Sequence, residues 1–136
     1  MNNLLPEFSA LENVQMPALI GGLSKAETLD RANQLLDKVG LGHRRHHRPS
    51  EMSGREQHRV AVARAMVMRP RILFADEPTG NLDERTSLEV QDLFFSIVDV
   101  FKIGLVMVTH DGDLAARLPS QIRMEDGCIT GTDGTA

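Results

Sequence analysis

The chain has 136 residues, of which 41% are hydrophobic and 25% are charged, a composition that indicates one globular domain rather than a disordered segment. Its formal net charge of −4 gives no electrostatic reason to expect a nucleic-acid partner. Cys128 is the single cysteine and cannot form an intramolecular disulfide, which fits a reducing compartment. We expect neither a signal peptide nor insertion into a membrane.

The first forty residues predict two helices. Four apolar residues before Gly21 have the spacing of one helical face, which Pro17 interrupts: Leu11, Val14, Leu19 and Ile20. A second helix is expected after Ser24, which stands three residues before Glu27 as in a capping box, and Gly40 suits its C-terminal end. Its predicted apolar face consists of Leu29, Ala32, Leu36 and Val39.

Residues 42–50 are rich in arginine and histidine, and we expect a solvated basic loop. His43 and His47 are four residues apart, which leaves a metal site as an alternative. The flanking arginines repel cations, however, and Pro49 argues against a helix through the segment. The solvated loop is therefore the better interpretation.

A third helix is predicted after Ser53, which again stands three residues before a glutamate, Glu56. Residues 60–68 are apolar almost all round, as in a buried helix. The amino end of such a helix has free N–H groups and the positive end of the helix dipole, so it suits an anion. Ordinary helix capping is the alternative.

The stretch 71–83 predicts a strand that ends in two acids. Residues 72–75 are apolar, as in a strand that is buried on both faces, and Asp76 and Glu77 follow at once. A carboxylate at the carboxyl end of a parallel strand can hold Mg²⁺ on a nucleotide phosphate, and a second one can polarise an attacking water. A polar turn before Pro78 is the alternative.

The rest of the chain predicts alternating helices and strands, and therefore an α/β fold with a partly parallel sheet. We expect a helix over residues 84–101 and a buried strand over 105–108 that leads into Thr109 and His110. A short helix over residues 113–118 is expected next. Asp126-Gly127 indicates a hairpin, and the small polar tail at 131–136 is expected to fray.

These motifs, in this order, resemble the nucleotide-binding subunit of ABC transporters. Residues 52–60, M-S-G-R-E-Q-H-R-V, resemble the signature motif of the family. Residues 73–77 resemble the Walker B strand, residues 80–83 the D-loop, and His110 the switch histidine. The segments 4–14 and 75–83 are most similar to the subgroup that serves lipoprotein release (the LolD type) and to related macrolide exporters.

The resemblance implies a fold and a set of roles. The fold would be a helical subdomain at 1–70, part of a P-loop NTPase (RecA-like) core at 71–131 whose N-terminal strands are missing, and a flexible tail at 132–136. Asp76 would hold Mg²⁺, Glu77 would be the general base and His110 would contact the γ-phosphate of ATP. Asp83 would communicate across a dimer interface. The residues that would face ATP on the other subunit are Ser53, Gly54, Arg55 and Glu56.

The resemblance also implies partners. The chain would bind ATP and Mg²⁺ and act as an ATPase subunit, paired with a second ATPase subunit and with membrane permease subunits. Its place would be the cytoplasmic face of the inner membrane, without direct insertion. An ABC ATPase of DNA repair is a weaker alternative, because the long coiled-coil insertion usual in those proteins is absent from this sequence.

Two departures from the family pattern change the expectation. The sequence contains no G-x-x-x-x-G-K-[ST] motif, the loop that cradles phosphates, so we expect a C-terminal fragment that cannot hydrolyse ATP alone. A fragment that docks a permease or complements a separate N-terminal piece is the alternative function. We also expect exposed apolar strand faces and marginal stability. Arg55 stands where the family has glycine, and could block the ligand or add a charge to it.

Overall fold

The computed structural model describes residues 3–80 and 82–134. Five helices, four strands and two short 3₁₀ turns follow one another in these parts of the chain. In chain order they are α1 (Ala10–Ile20), α2 (Lys25–Lys38), the 3₁₀ turns Gly42–Arg44 and Pro49–Glu51, α3 (Gly54–Met66), β1 (Ile72–Asp76), α4 (Glu84–Phe101), β2 (Gly104–Val108), α5 (Gly112–Ala116), β3 (Ser120–Glu125) and β4 (Cys128–Gly134).

Both predicted serine caps begin a helix. The Ser53 hydroxyl accepts from the Glu56 N–H and the Glu56 carboxylate accepts from the Ser53 N–H, which completes a capping box at α3. At α2 the Ser24 hydroxyl accepts from the Glu27 N–H, but the Glu27 carboxylate pairs with Arg31 one turn later. Both predicted helix starts are therefore confirmed. Of the two predicted capping boxes, only the one at Ser53 is complete.

The predicted faces of α1 and α2 are confirmed only in part: Val14, Ala32, Leu36 and Val39 are buried as expected, but other members differ. In α1 the core face consists of Ala10, Val14 and Ala18, whereas Leu19 and Ile20 are exposed. In α2 the predicted Leu29 is exposed, and the buried side chains are Thr28, Ala32, Leu35 and Leu36. Residues four apart share a helix face, and the small alanines on that face allow α1 to pack closely against its neighbours.

One apolar core connects the helices to the first strand. Its buried members come from α1, α2, α3, β1 and α4, and therefore from both sides of the predicted subdomain boundary at residue 70. They include Val14, Leu36, Val60, Ala63, Leu73, Ala75, Val90, Phe94 and Ile97. The helix predicted over residues 84–101 is confirmed, and its Val90, Phe94 and Ile97 are buried while Leu93 and Phe101 pack against the core.

β1 and β2 pair in parallel, with Leu73 opposite Leu105 and Asp76 opposite Val108. The prediction that β1 is buried on both faces is wrong for this structure: Leu73 and Ala75 are buried, but Phe74 is 73% exposed. The reason is that successive side chains alternate between faces, and the helices cover one face only. The expectation of an exposed apolar strand face is confirmed.

β3 and β4 form an antiparallel hairpin around Asp126 and Gly127, as predicted. Both turn residues have positive φ, 48° and 76°, which matches the right-handed twist of the strands. β4 extends to Gly134 and pairs with Ser120, so residues 131–134 of the expected frayed tail are strand instead. Residues 135 and 136 of that tail lie outside the described residues.

The basic segment 42–50 is more ordered than a solvated loop. The carbonyls of His47 and Arg45 accept the N–H groups of Ala10 and Leu11, so the segment caps the amino end of α1. Within residues 3–80 and 82–134 there is no group of three or more His, Cys, Asp or Glu side chains that could hold a metal ion. Over the same residues, no helix combines the length and hydropathy that a membrane crossing requires.

Candidate functional site

The carboxyl edge of the parallel sheet carries the predicted acids and the predicted histidine. Asp76 is the last residue of β1 and pairs with Val108, the last residue of β2. Glu77 follows β1, and His110 follows β2 by two residues. Because parallel strands end at the same edge, the side chains that follow both strands come together there, as in the nucleotide crevices of open α/β sheets.

Glu77 and His110 are in direct contact at this edge. Glu77 Oε1 lies 2.8 Å from His110 Nδ1 and 2.9 Å from the His110 backbone N, and accepts from both. The backbone N–H of Glu77 donates to the Val108 carbonyl at 2.9 Å. Glu77 adopts φ = 43°, in the left-handed region that non-glycine residues rarely use and that is frequent at functional sites.

The contact also shifts the pKa of the histidine. The hydrogen bond to Glu77, followed by the negative charges of Glu77 and Asp111, raises the pKa of His110 above its usual value. Nδ1–H donates to the carboxylate, so Nε2 is the ring nitrogen that remains for a ligand. His110 is 78% exposed and is therefore accessible to one.

The donor set fits Mg²⁺ bound together with a phosphate. Asp76 is exposed beside Glu77, and both provide the hard carboxylate oxygens that Mg²⁺ prefers. Mg²⁺ in such sites takes one or two protein carboxylates and completes its coordination with water and phosphate oxygens, so a cage of protein ligands is not required. Asp76, with Glu77 nearby, is the group that would hold the ion.

The amino end of α3 presents an open helix start. A side chain built at Gly54 would meet no atom within 4 Å, so the space beside this turn is free. The Glu56 carboxylate is engaged internally, because it accepts from Ser53 and from Arg44 Nε at 3.1 Å. The hydrogen bond from the Ser53 N–H is the main cause that lowers the pKa of Glu56. Glu56 thus serves the helix cap.

Arg55 extends from this helix turn to α4. Its guanidinium lies 2.7 Å from the Glu89 carboxylate and donates to Thr86 Oγ1 at 3.1 Å. The side chain is thus held by α4. The sequence analysis predicted that Arg55 would either block a bound anion or add a positive charge beside it. It did not predict that Arg55 binds a carboxylate of its own chain.

Asp83 is the N-cap of α4. Its carboxylate accepts from Thr86 Oγ1 at 2.6 Å and from the Thr86 N–H at 3.0 Å, and these two hydrogen bonds lower the pKa of Asp83. Sequence reasoning assigned Asp83 to a dimer interface and missed the cap, although the D-x-x-T spacing from Asp83 to Thr86 indicates one. Asn81, another residue of the predicted D-loop, lies outside the described residues.

The predicted site residues therefore fall into two groups. Asp76, Glu77 and His110 form the first group, at the sheet edge. The second group joins the amino ends of α3 and α4 and consists of Ser53, Gly54, Arg55, Glu56 and Asp83. Thr86 and Glu89, which complete the second group, were not predicted. No local pattern reveals the contact of Arg55 with Glu89, because 34 residues separate them in the chain.

Solved structures define the class of protein to which this fold and site belong. The fold is similar to that of a dimeric bacterial ABC transporter cassette, with 34% identity and a TM-score of 0.76. That match covers 98% of this chain and 59% of the solved chain. A dimeric ATP-binding cassette in a post-hydrolysis state, bound to ADP and Pi, matches equally well. The fold is thus part of a P-loop NTPase core with the ABC helical subdomain, as predicted.

The family follows from the sequence comparison. The family described as ABC transporter matches residues 1–80, and the chain belongs to it. A lipoprotein-releasing system ATP-binding protein, LolD, of Syntrophus aciditrophicus is 54% identical over 128 residues. The protein of the same name from Shewanella denitrificans is 51% identical over 129 residues. These matches cover 94% and 95% of this chain, which spans 57% and 55% of the relatives' lengths. The predicted resemblance to the LolD type is confirmed.

Proposed function

We propose that the chain contributes the Walker B half of an ABC-type ATPase site whose ATP hydrolysis drives the release or export of lipoproteins. The observation that carries the proposal is the Glu77–His110 contact beside Asp76 at the sheet edge. In this proposal Glu77 is the general base, His110 contacts the γ-phosphate and Asp76 is the carboxylate for Mg²⁺. Phosphoryl transfer requires little more from a protein than such positioning and electrostatic stabilisation.

Each residue at the sheet edge has one task in this proposal. Asp76 would hold Mg²⁺, and the bound ion would supply positive charge that neutralises phosphate. Glu77 accepts a proton from the attacking water. His110 keeps Nδ1 on Glu77 and directs Nε2 to the γ-phosphate. The raised pKa of His110 supports the last role, because a protonated ring is a stronger partner for phosphate.

The second group of residues is proposed to act across a dimer. Ser53 and the first-turn N–H groups of α3 would bind the γ-phosphate of ATP held by the other subunit, because a helix start attracts anions. The open space at Gly54 supports this role. The dimeric state of the similar cassettes supports the pairing. The names of the relatives, each the ATP-binding protein of a lipoprotein-releasing system, support work with membrane permease subunits, and a place on the cytoplasmic face of the inner membrane is part of this proposal.

We further propose that these 136 residues alone do not turn over ATP. They contain no G-x-x-x-x-G-K-[ST] motif, so Glu77 has no phosphate cradle beside it within this chain. A general base contributes roughly 10²–10⁴-fold to a rate only when its substrate is held within reach. Calorimetric titration of the chain with Mg-ATP should find no binding at millimolar nucleotide. Micromolar binding would contradict this part of the proposal.

The catalytic assignment is tested by a chimera. This chain replaces the 128 matching residues of the Syntrophus relative, and the rest of the relative's sequence is kept. The chimera should hydrolyse Mg-ATP, and Glu77→Gln should abolish hydrolysis while nucleotide binding persists. Glu125→Gln, a change on the exposed hairpin, is the matched control and should leave the rate unchanged. A folded chimera that binds ATP and hydrolyses it equally well with Glu77→Gln would refute the role of Glu77.

A second candidate function is complementation of a separate N-terminal piece. The observation that favours it is the exposed apolar face of the β1–β2 sheet, which carries Ile72, Phe74, Val106 and Val108. Apolar sheet faces are normally covered. Mixing the chain with a separately expressed N-terminal segment of the relative should give a one-to-one complex in size-exclusion chromatography. Phe74→Ser should weaken that complex, and no complex at all would exclude this function.

A further inference from the structure

Arg55 connects the amino ends of two helices. It lies in the first turn of α3, and its guanidinium reaches α4 at two points, the Glu89 carboxylate and the Thr86 hydroxyl. Its NH1 nitrogen is 2.8 Å from Glu89 Oε1 and 2.7 Å from Glu89 Oε2, and its NH2 nitrogen is 3.1 Å from Thr86 Oγ1. These contacts are specific to an arginine at a position where the family motif has glycine.

The chemistry of arginine fixes the direction of each hydrogen bond. A guanidinium only donates, so Thr86 Oγ1 must accept from Arg55. The hydroxyl hydrogen of Thr86 is then free to point to Asp83 Oδ2, 2.6 Å away. The Asp83 carboxylate can only accept and therefore favours this orientation, and the Arg55 guanidinium, which cannot accept the hydroxyl hydrogen, reinforces it. Arg55 therefore helps to hold the Thr86 hydroxyl in the orientation that donates to Asp83.

Glu89 keeps the guanidinium in place. Arg55 and Glu89 expose 41% and 37% of their side chains, so the pair is partly shielded from water. Arg85 is also near Glu89, but at 3.7 Å and with 82% of its side chain exposed. Arg85 makes a weaker contact with the same carboxylate, which makes it a suitable comparison.

We propose that Arg55 is a positioning residue that orients the Thr86 hydroxyl toward Asp83 and thereby couples the amino end of the signature helix α3 to that of α4. A movement of either helix start then changes the hydrogen bonding of Asp83. The significance for ATP hydrolysis rests on the proposed function, because only there do Ser53 and Asp83 face a second subunit. The coupling itself exists within one chain and can be measured without nucleotide.

The experiment compares carboxyl ¹³C NMR titrations of Asp83 in the 136-residue chain and its variants. Arg55→Met should raise the pKa of Asp83, because an oriented donor and a nearby positive charge are lost. Thr86→Val should raise it further. Arg85→Met should leave it unchanged. If Arg55→Met and Arg85→Met both leave the pKa of Asp83 at the wild-type value, the proposal is overturned.

Two further variants separate positioning from charge and from folding. Arg55→Lys keeps the charge but cannot bridge Glu89 and Thr86 with a planar fork, so it should still raise the pKa of Asp83. A wild-type pKa in Arg55→Lys would show that charge alone acts and would overturn the positioning role. If Arg55→Met does not fold, Arg55→Gln replaces it and should raise the pKa of Asp83 in the same direction, because the guanidinium and its charge are lost. These results are independent of whether the chimera hydrolyses ATP.

Discussion

Truncation of two neighbouring residues of β1 should destabilise the chain to very different extents, because they lie on opposite faces of the sheet. Leu73 is 7% exposed and belongs to the core, whereas Phe74 is 73% exposed. Replacing a buried leucine by alanine costs about 2–5 kcal/mol of unfolding free energy. Complete burial of a phenylalanine side chain contributes about 1.5–3 kcal/mol, so the buried quarter of Phe74 contributes only about 0.4–0.8 kcal/mol.

The assay is urea denaturation followed by circular dichroism, which suits a chain without tryptophan or tyrosine. Leu73→Ala should lower the transition midpoint much more than Phe74→Ala, with the slope unchanged in both. In the chimera, where the sequence of the relative is proposed to cover this face, the cost of Phe74→Ala should rise to about 3–5 kcal/mol. Equal losses for the two variants in the isolated chain would show that Phe74 is already covered in solution and would refute the reasoning.

Two other predictions concern the site. Ser53→Ala removes the N-cap of α3 and should lower the unfolding free energy by about 0.5–2 kcal/mol, whereas Ser96→Ala on the exposed side of α4 should change it by less than about 0.5 kcal/mol. An equal loss of unfolding free energy in both variants would show that the Ser53 cap contributes no more to stability than an exposed serine. NMR titration should find the pKa of His110 above its usual value, and Glu77→Gln should lower it. Because the folded pKa is raised, the stability from this contact is fully present below the ordinary histidine pKa and is lost as the pH rises through the raised one. A pKa of His110 that does not respond to Glu77→Gln would show that the two side chains are not in contact in solution.

The helix starts and the hairpin were predictable because they depend on neighbours in the chain. Ser24 and Ser53 cap helices through residues three positions away, and Asp126-Gly127 turns the chain through its own backbone preferences. The acids at the end of β1 were recognisable for a similar reason. A short apolar run that leads directly into Asp76 and Glu77 is a local pattern, and so is the signature sequence at residues 52–60.

The faces and the long-range partners were decided only by the tertiary structure. The sequence of β1 predicts burial on both sides, but the helices cover the Leu73 face alone and leave Phe74 exposed. The choice of Thr28 over Leu29 for the core of α2 depends on where its neighbours pack. The partners of Arg55 could not be predicted from the sequence either. Arg55 contacts Glu89 and Thr86 only because α3 and α4 lie side by side. A contact between residues 34 positions apart depends on helix packing and not on a local preference of the chain.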